Sequence, residues 1–570
     1  MSTAATTTTA TSTLPSSSNC PITKEHVKEW ASYGTKVYKK PTTDEEFEFQ
    51  KQRSLKMKQM KKRLVVEFND KKLWSERAIE RELNKLVLEM EEKQEKEKHR
   101  QEGINGDEDD GDTTTPAYQL DNNHPDNTID YRSEGGPLLN MLWTNHQNKH
   151  EPLIGQTLYL GGEVGSDNHI YCIPGHAPRV LKIDTVTNEI FPIGPKNLTS
   201  NGRLYKWLRG IVIGDIIYGI PCHANEILRI DVATQTITKL PIPYEDFYKA
   251  DDDPEEAIRQ KDMSWKYHGG CISPIDGCIY AIPQSACHVL KIDPSTETIS
   301  FVGPKLTEGR WKWYGGIVGK SDGAIYGIPH NSKHVLRIVA PNIVTLHGDY
   351  SHYGTHKWHG GAAASNSPNG TIVSVPANAD QVLLIIPSNS PEEEPTLELI
   401  GDASIIQSGR HRSDGKYKYL GATCSPNGER VYLFPCASEY VLQVDAITKV
   451  CKNVGPNLRE TEMELIHQNK YQNGLCCKQD NCVYGMPLSG HTLLRIDCSN
   501  ASTNSSNGDN DNGEEDDDPI VTTWKIPSPR RDCRDKFEGG VILPSTGIMY
   551  TVPNNHKAVL RIESSNLSKN

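Results

Sequence analysis

The chain has no apolar run near the ~18 residues that a membrane-spanning helix needs. It has no Cys-x-x-Cys, and its 14 cysteines are scattered along 570 residues, with Cys476 and Cys477 adjacent, an arrangement unsuited to a simple bridge. Met1 to Thr6 lacks the basic and apolar segments of a secretory signal, and no Arg precedes Arg53, which disfavours a transit peptide. These absences predict free thiols in a reduced, intracellular protein, cytoplasmic with the nucleus as alternative. Excess positive charge is also lacking: 74 acids face 62 bases, a net charge of −12. That argues against general nucleic-acid or membrane affinity and leaves room for a local basic patch. There is no G-x-S-x-G, no phosphate-binding loop and no H-E-x-x-H.

What is present is a repeat. Lys312-Trp313-Tyr314-Gly315-Gly316-Ile317-Val318 is followed by Asp322-Gly323-Ala324-Ile325-Tyr326-Gly327-Ile328-Pro329 and by His334-Val335-Leu336-Arg337-Ile338. Copies of this unit place their prolines at Pro174, Pro221, Pro283, Pro329, Pro376, Pro435, Pro487 and Pro553. Asp-Gly is a hairpin turn signal, and Pro halts a strand because it cannot donate to a ladder. No window within the unit sustains a 3.6-residue period. Four antiparallel strands per unit, repeated radially, predict an all-β, eight-bladed β-propeller, with seven blades as the alternative if the fifth or sixth copy is shared out.

Residues 1–43 are Ser/Thr-rich and expected to be a disordered tail. Residues 44–100 predict a charged helical arm, its second helix from about Lys72 to His99 with Ile79, Leu83, Leu86 and Met90 on one stripe. That stripe fits a solvated arm; the alternative is a short coiled coil, hence a homodimer through residues 72–99. Lys58, Lys61, Lys62 and Arg63 read as a solvated helix face rather than an import signal. Residues 101–135 read as an acidic linker, and 136–570 as the propeller. The second acidic run, Asp509 to Asp518, misses the spacing of a calcium loop. The eighth copy lacks a good fourth strand. Pro152-Leu153-Ile154-Gly155 resembles the fourth-strand endings Phe191-Pro192-Ile193-Gly194 and Leu399-Ile400-Gly401, and is expected to close the ring from the N-terminal side.

Seven copies place a Lys-aromatic pair just before the glycines: Lys206-Trp207, Lys266-Tyr267, Lys312-Trp313, Lys357-Trp358, Lys418-Tyr419, Lys470-Tyr471 and Lys536-Phe537. The loop after each Ile-Pro strand carries His176, His223, His330, His491 and His556. Both positions should meet on one face. The aromatics read mainly as wedges between blades, each worth roughly 4–6 kcal/mol gross. The lysines read either as stems laid along those rings or as an anion-binding circle, with His223 and His330 beside it. The glycines let inner strands converge. Inner-strand residues beyond them are mostly apolar, Glu163 excepted, so no metal-ligand set is expected. His268, His359 and Glu538, at equivalent positions of the mouth, are the candidate catalytic trio.

The unit D-G-x-I-Y-x-I-P…V-L-R-I-D resembles the repeat of NHL-type propellers and is similar to that of virginiamycin B lyase-like and gluconolactonase-like propellers, over about residues 151–563. The lyase resemblance implies a magnesium-assisted His/Glu elimination, and its His and Glu find no matching positions here. The gluconolactonase resemblance implies channel carboxylates holding a divalent metal, against which the apolar inner strands speak. The Trp-Asp signature of WD repeats and the kelch pattern are absent. The expectation is therefore a scaffold or binding module for a protein or anionic ligand at the Lys/aromatic/His face, without cofactor. A lyase or lactonase-like enzyme acting on a small ligand at that face is the alternative.

Overall fold

The computed structural model describes residues 136–144 and 150–564, apart from 201, 203, 251–253, 408, 410–414, 500–517 and 529–532. It also describes the strand Asp130–Tyr131 and, in the N-terminal unit 1–120, positions 26, 29, 56 and 59–64. The last of these positions are helical, Met60 and Leu64 are buried, and Arg63 pairs with Glu29 at 2.6 Å. The tail, the stripe from 72 to 99 with its coiled-coil alternative, and most of both acidic runs lie outside the described residues.

Residues 121–570 form an eight-bladed β-propeller. The first blade is Tyr159–Val164, Ile170–Pro174, Val180–Ile183 and Ile190–Ile193, antiparallel and ordered from the axis outward. The other innermost strands are Trp207–Ile213, Tyr267–Ile272, Trp313–Val318, Trp358–Ala363, Tyr419–Cys424, Tyr471–Cys477 and Phe537–Ile542. Each touches the innermost strands of both neighbours, and the eighth touches the first. No copy is shared out, so the seven-blade alternative falls.

The closing strand comes from the N-terminal side, but it is not Pro152–Gly155. Leu138–Leu142 pairs antiparallel with Val559–Glu563, Leu138 opposite Glu563 and Leu142 opposite Val559. Asp130–Tyr131 adds a short fifth strand outside it, within the stretch expected to be linker. The reason is burial. Leu139, Met141 and Leu142 sink into the core, whereas Ile154 is 75% exposed. A tally of end-of-strand residues misses this, because a closing strand is chosen by its buried face.

The repeated residues have separate tasks. Trp207, Trp313 and Trp358 are fully buried between blades, and each Nε1–H donates to a carbonyl at the start of its own third strand or just before it (Glu226, His334 and Gln381, at 2.8–2.9 Å). That removes the cost of a buried indole N–H. The turn aspartate holds the blade's second hairpin. Tyr171 and Tyr280 donate to Asp167 and Asp276 at 2.7 Å, and Lys182 and Lys291 pair with the same carboxylates. Asp322, Tyr326 and Arg337 repeat the arrangement in the fourth blade. Thirteen of the 14 cysteines are described, and all are free thiols. Among the described residues no helix is long and apolar enough to cross a membrane.

The long connection between the second and third blades holds two helices unforeseen by the repeat pattern, α1 (Tyr244–Ala250) and α2 (Pro254–Asp262). Tyr244 and Tyr248 are buried with Phe301 of the third blade, and Tyr248 Oη lies 3.0 Å from His288 Nδ1. Insertion residues follow their packing partner, so the repeat carries no signal for them.

Candidate functional site: the channel mouth and throat

Every innermost strand carries a β-bulge between its aromatic and the third residue beyond it: Tyr267 faces Pro283, but Gly270 faces Ala281. The same shift occurs in the other seven blades. The bulged residue is left-handed in every blade. It is Gly161, Gly269, Gly315, Gly360, Gly421 and Gly539 in six, and Arg209 (φ 67) and Asn473 (φ 59) in two. Glycine takes this conformation freely; an arginine does so at a cost.

A second left-handed position lies just before each lysine: Thr157, Tyr205, Trp265, Trp311, His356, Tyr417, Asn469 and Asp535, all at φ 48–59. Backbone bonds across the mouth fix it. His223 N–H donates to Tyr205 O, Asn331 N–H to Trp311 O and Asn378 N–H to His356 O, each at 3.0 Å. The side chain at this position is left facing the channel mouth, and in blades two to six it is an aromatic ring.

The lysines do not form an exposed circle. Lys206, Lys266, Lys312, Lys357, Lys418, Lys470 and Lys536 are all buried, at 0–3% exposure. Their ammonium groups donate across the seam, mostly to carbonyls of the preceding blade: Lys206 to Gly175 and Ala177, Lys266 to His223 and Ala224, Lys312 to Ala286, Lys418 to Asn378, Lys470 to Cys436 and Lys536 to Ser489, at 2.8–3.1 Å. Lys357 donates to Gly354 within its own approach loop. Burial lowers Lys206, Lys312, Lys357 and Lys470 to about 8, so they remain charged at pH 7. This corrects the expected lysine face. A stem enclosed in the seam ends on orphan loop carbonyls instead of reaching water. Glu256 of α2 is buried as well, and is bonded to Arg259, Gln260 and Lys305.

The channel throat is lined by the residues one step after the aromatics: Leu160, Leu208, His268, Tyr314, His359, Leu420, Gln472 and Glu538. Tyr314 lies between His268 and His359, with ring centroids 3.5 Å away on both sides. His330 joins them at 5.3 Å from Tyr314 and 5.6 Å from His359, its Nδ1 held 3.0 Å from Trp358 O. His223 does not enter this group; it packs at the rim against Tyr205 and Trp265. Glu538 accepts from Gln472 Nε2 at 3.0 Å. His268, His359 and Glu538 thus share one channel, with Tyr314 between the two imidazoles.

The residue that sequence reasoning missed is Arg209. It stands on the bulge of the second blade, and its guanidinium lowers the carboxyls of Glu163 and Glu538 and disfavours charge on His268 and His359. Burial is the larger influence in each case. It raises Glu163 to about 7, raises Glu538, and holds both imidazoles well below their usual range. His359, Tyr314, Glu163 and Glu538 keep partial solvent contact, as expected of groups walled by protein around an open channel. Arg209 itself has no hydrogen bond or ion pair among the described residues. The signal was available: Leu208-Arg209-Gly210 departs from Gly-Gly at a position where six copies have glycine. Among the described residues no cluster of three or more His, Cys, Asp or Glu could hold a metal ion.

No protein-family model matches the chain, and no curated protein matches it. Solved structures do. The chain is similar to a streptogramin B lyase structure (10% identity, 76% of this chain and 100% of that one, TM-score 0.41). It is similar to the virginiamycin B lyase of Staphylococcus aureus (12%, 61% and 95%, 0.41) and to a gluconolactonase of Xanthomonas campestris (10%, 52% and 86%, 0.29). The chain is an eight-bladed β-propeller, and its likeness to these proteins is one of architecture.

Proposed function

We propose that this chain is a propeller binding module that takes an anionic ligand, or the anionic group of a partner, in the mouth and throat of its central channel. The observation that carries the reading is Arg209: a guanidinium with no hydrogen bond or ion pair among the described residues, in a backbone conformation that favours glycine, where six of eight blades have glycine. Strain of this kind persists where the surroundings over-determine it, and it clusters at ligand sites. A guanidinium offers a planar fork that matches carboxylate or phosphate oxygens. The expected anion is thus retained from the sequence reading, and its receptor moves from the lysines to Arg209. Thermal-shift titration with phosphate, citrate and oxalate tests it. Wild type should be stabilised by at least one of them, less so at high salt, and Arg209→Gly should not respond. A response that survives in Arg209→Gly removes the reading.

One observation favours the enzyme alternative. Glu163, raised to about 7, shares the channel with the neutral imidazoles of His268 and His359. Titratable groups pushed apart by environment supply an acid and a base at neutral pH. Turnover of a lactone panel that is lost in Glu163→Gln and His359→Asn, with anion binding kept, would support it; no turnover in wild type would set it aside.

A further inference from the structure

The eight rim positions before the lysines share one backbone conformation, but not one kind of side chain. Blades seven, eight and one carry Asn469, Asp535 and Thr157, so the position itself does not call for a ring. Blades two to six carry Tyr205, Trp265, Trp311, His356 and Tyr417 in unbroken succession. Left-handed residues other than glycine are most often Asn, Asp or His, and a Trp there is an unusual choice. Tyr205 and Trp265 pack against Leu160, Leu208 and Cys222, but core packing does not explain Trp311, which is 38% exposed, while the true wedge of the same blade, Trp313, is fully buried two residues later.

The rings continue inward. Trp311 lies 6.2 Å from His356, His356 lies 4.6 Å from His330, and His330 lies 5.3 Å from Tyr314, which rests between His268 and His359. An aromatic wall thus descends from the rim to the throat, where the charge of Arg209 is felt by Tyr314, His268 and His359. Offset or tilted rings of this spacing present faces and edges that accept a further flat ring.

We infer that the ligand of this channel is a planar aromatic anion, its ring against the rim rings of Trp311 and His356, which keep solvent contact, and its carboxylate or phosphate on Arg209. This inference rests on the anion-binding reading above and adds the ring. The half-exposed Trp265 and exposed Trp311 provide the signal, since Trp207, Trp313 and Trp358 are shielded from a ligand.

Tryptophan fluorescence of the full-length protein is titrated with two aromatic anions, indole-3-acetate (carboxylate) and adenosine monophosphate (phosphate). Adenosine and indole serve as ring-only controls, and acetate, phosphate and ribose 5-phosphate as anion-only controls. At least one aromatic anion should bind tenfold or more tightly than both its controls, and which one does so separates carboxylate from phosphate. Arg209→Gly should bring its affinity down to that of the ring-only control. Trp311→Leu should weaken it severalfold, with an unchanged melting temperature showing that the blade is intact. If anion-only compounds bind as tightly as aromatic ones and still need Arg209, the ring inference is overturned and the anion site stands. If aromatic compounds bind without regard to Arg209, or nothing binds, both fall.

Discussion

Glu163 lays its side chain against the α-carbon of Gly210 on the neighbouring blade, one residue from Arg209: a Cβ on Gly210 would stand 2.6 Å from Glu163 Cγ. The two glycine positions of the repeat are therefore unequal. In the second blade the second position is barred to a side chain by Glu163 and Ile173 of the first blade, whereas the first demands positive φ and admits Arg209.

That difference sets the first expected outcome. Arg209→Gly removes a left-handed non-glycine residue and an unpaired channel charge, so the variant should melt at or above the wild-type temperature, by up to about 1 kcal/mol. Gly210→Ala should destabilise by roughly 1–3 kcal/mol through overpacking. Urea denaturation of the two variants checks both; a clear loss of stability in Arg209→Gly would mean that the arginine is structural.

Closure of the ring depends on Leu138–Leu142. Removal of residues 1–120 should leave the melting temperature of the propeller unchanged. Removal of 1–143 strips the outer strand from the eighth blade, bares the edge of Val559–Glu563, and should give aggregation, although Pro152–Gly155 is still present. Light scattering with a thermal melt separates the two. Equal behaviour would overturn the closure.

The lysines should report on stability rather than on ligand. Lys312→Met keeps the stem and deprives Ala286 O of its donor, at a cost of roughly 1–3 kcal/mol. Replacing Lys312, Lys357 and Lys418 together by Gln should cost more and leave the salt dependence of any anion response as it was. Intact stability with a lost anion response would restore the lysine face.

The buried imidazoles predict acid sensitivity. Burial lowers His330 to about 4 in the fold, against 6.5 for an ordinary imidazole. On acidification the unfolded chain binds the proton first, so the stability held above pH 6.5 is lost as pH falls towards 4. At pH 5 His330 alone accounts for about 2 kcal/mol. His268 and His359 act in the same direction. Glu163, raised to about 7, and Glu538, also raised by burial, act against them and gain stability on acidification. Denaturation curves at pH 7 and 5 should show a smaller loss in His330→Gln than in wild type, and a larger one in Glu163→Gln.

The sequence by itself determined the number of blades, their strand order and the identity of the wedges. Those properties are local and repeated: a turn at Asp322-Gly323, a strand stopped at Pro329 and an aromatic at Trp313 recur eight times in one order, and most of the second strands are buried along their whole length. It also put His268 and His359 at equivalent positions of the ring, and these positions lie on either side of Tyr314. Only the tertiary structure decided what a given side chain meets there. Lys312 is a cation in sequence and a buried donor in the fold, since its loop supplies orphan carbonyls in the preceding blade. Leu138–Leu142 outcompetes Pro152–Gly155 because three of its side chains find a core. Arg209 replaces the first residue of a glycine pair in the sequence, and acts on the charges of the channel only when a bulge and eight blades bring it to them.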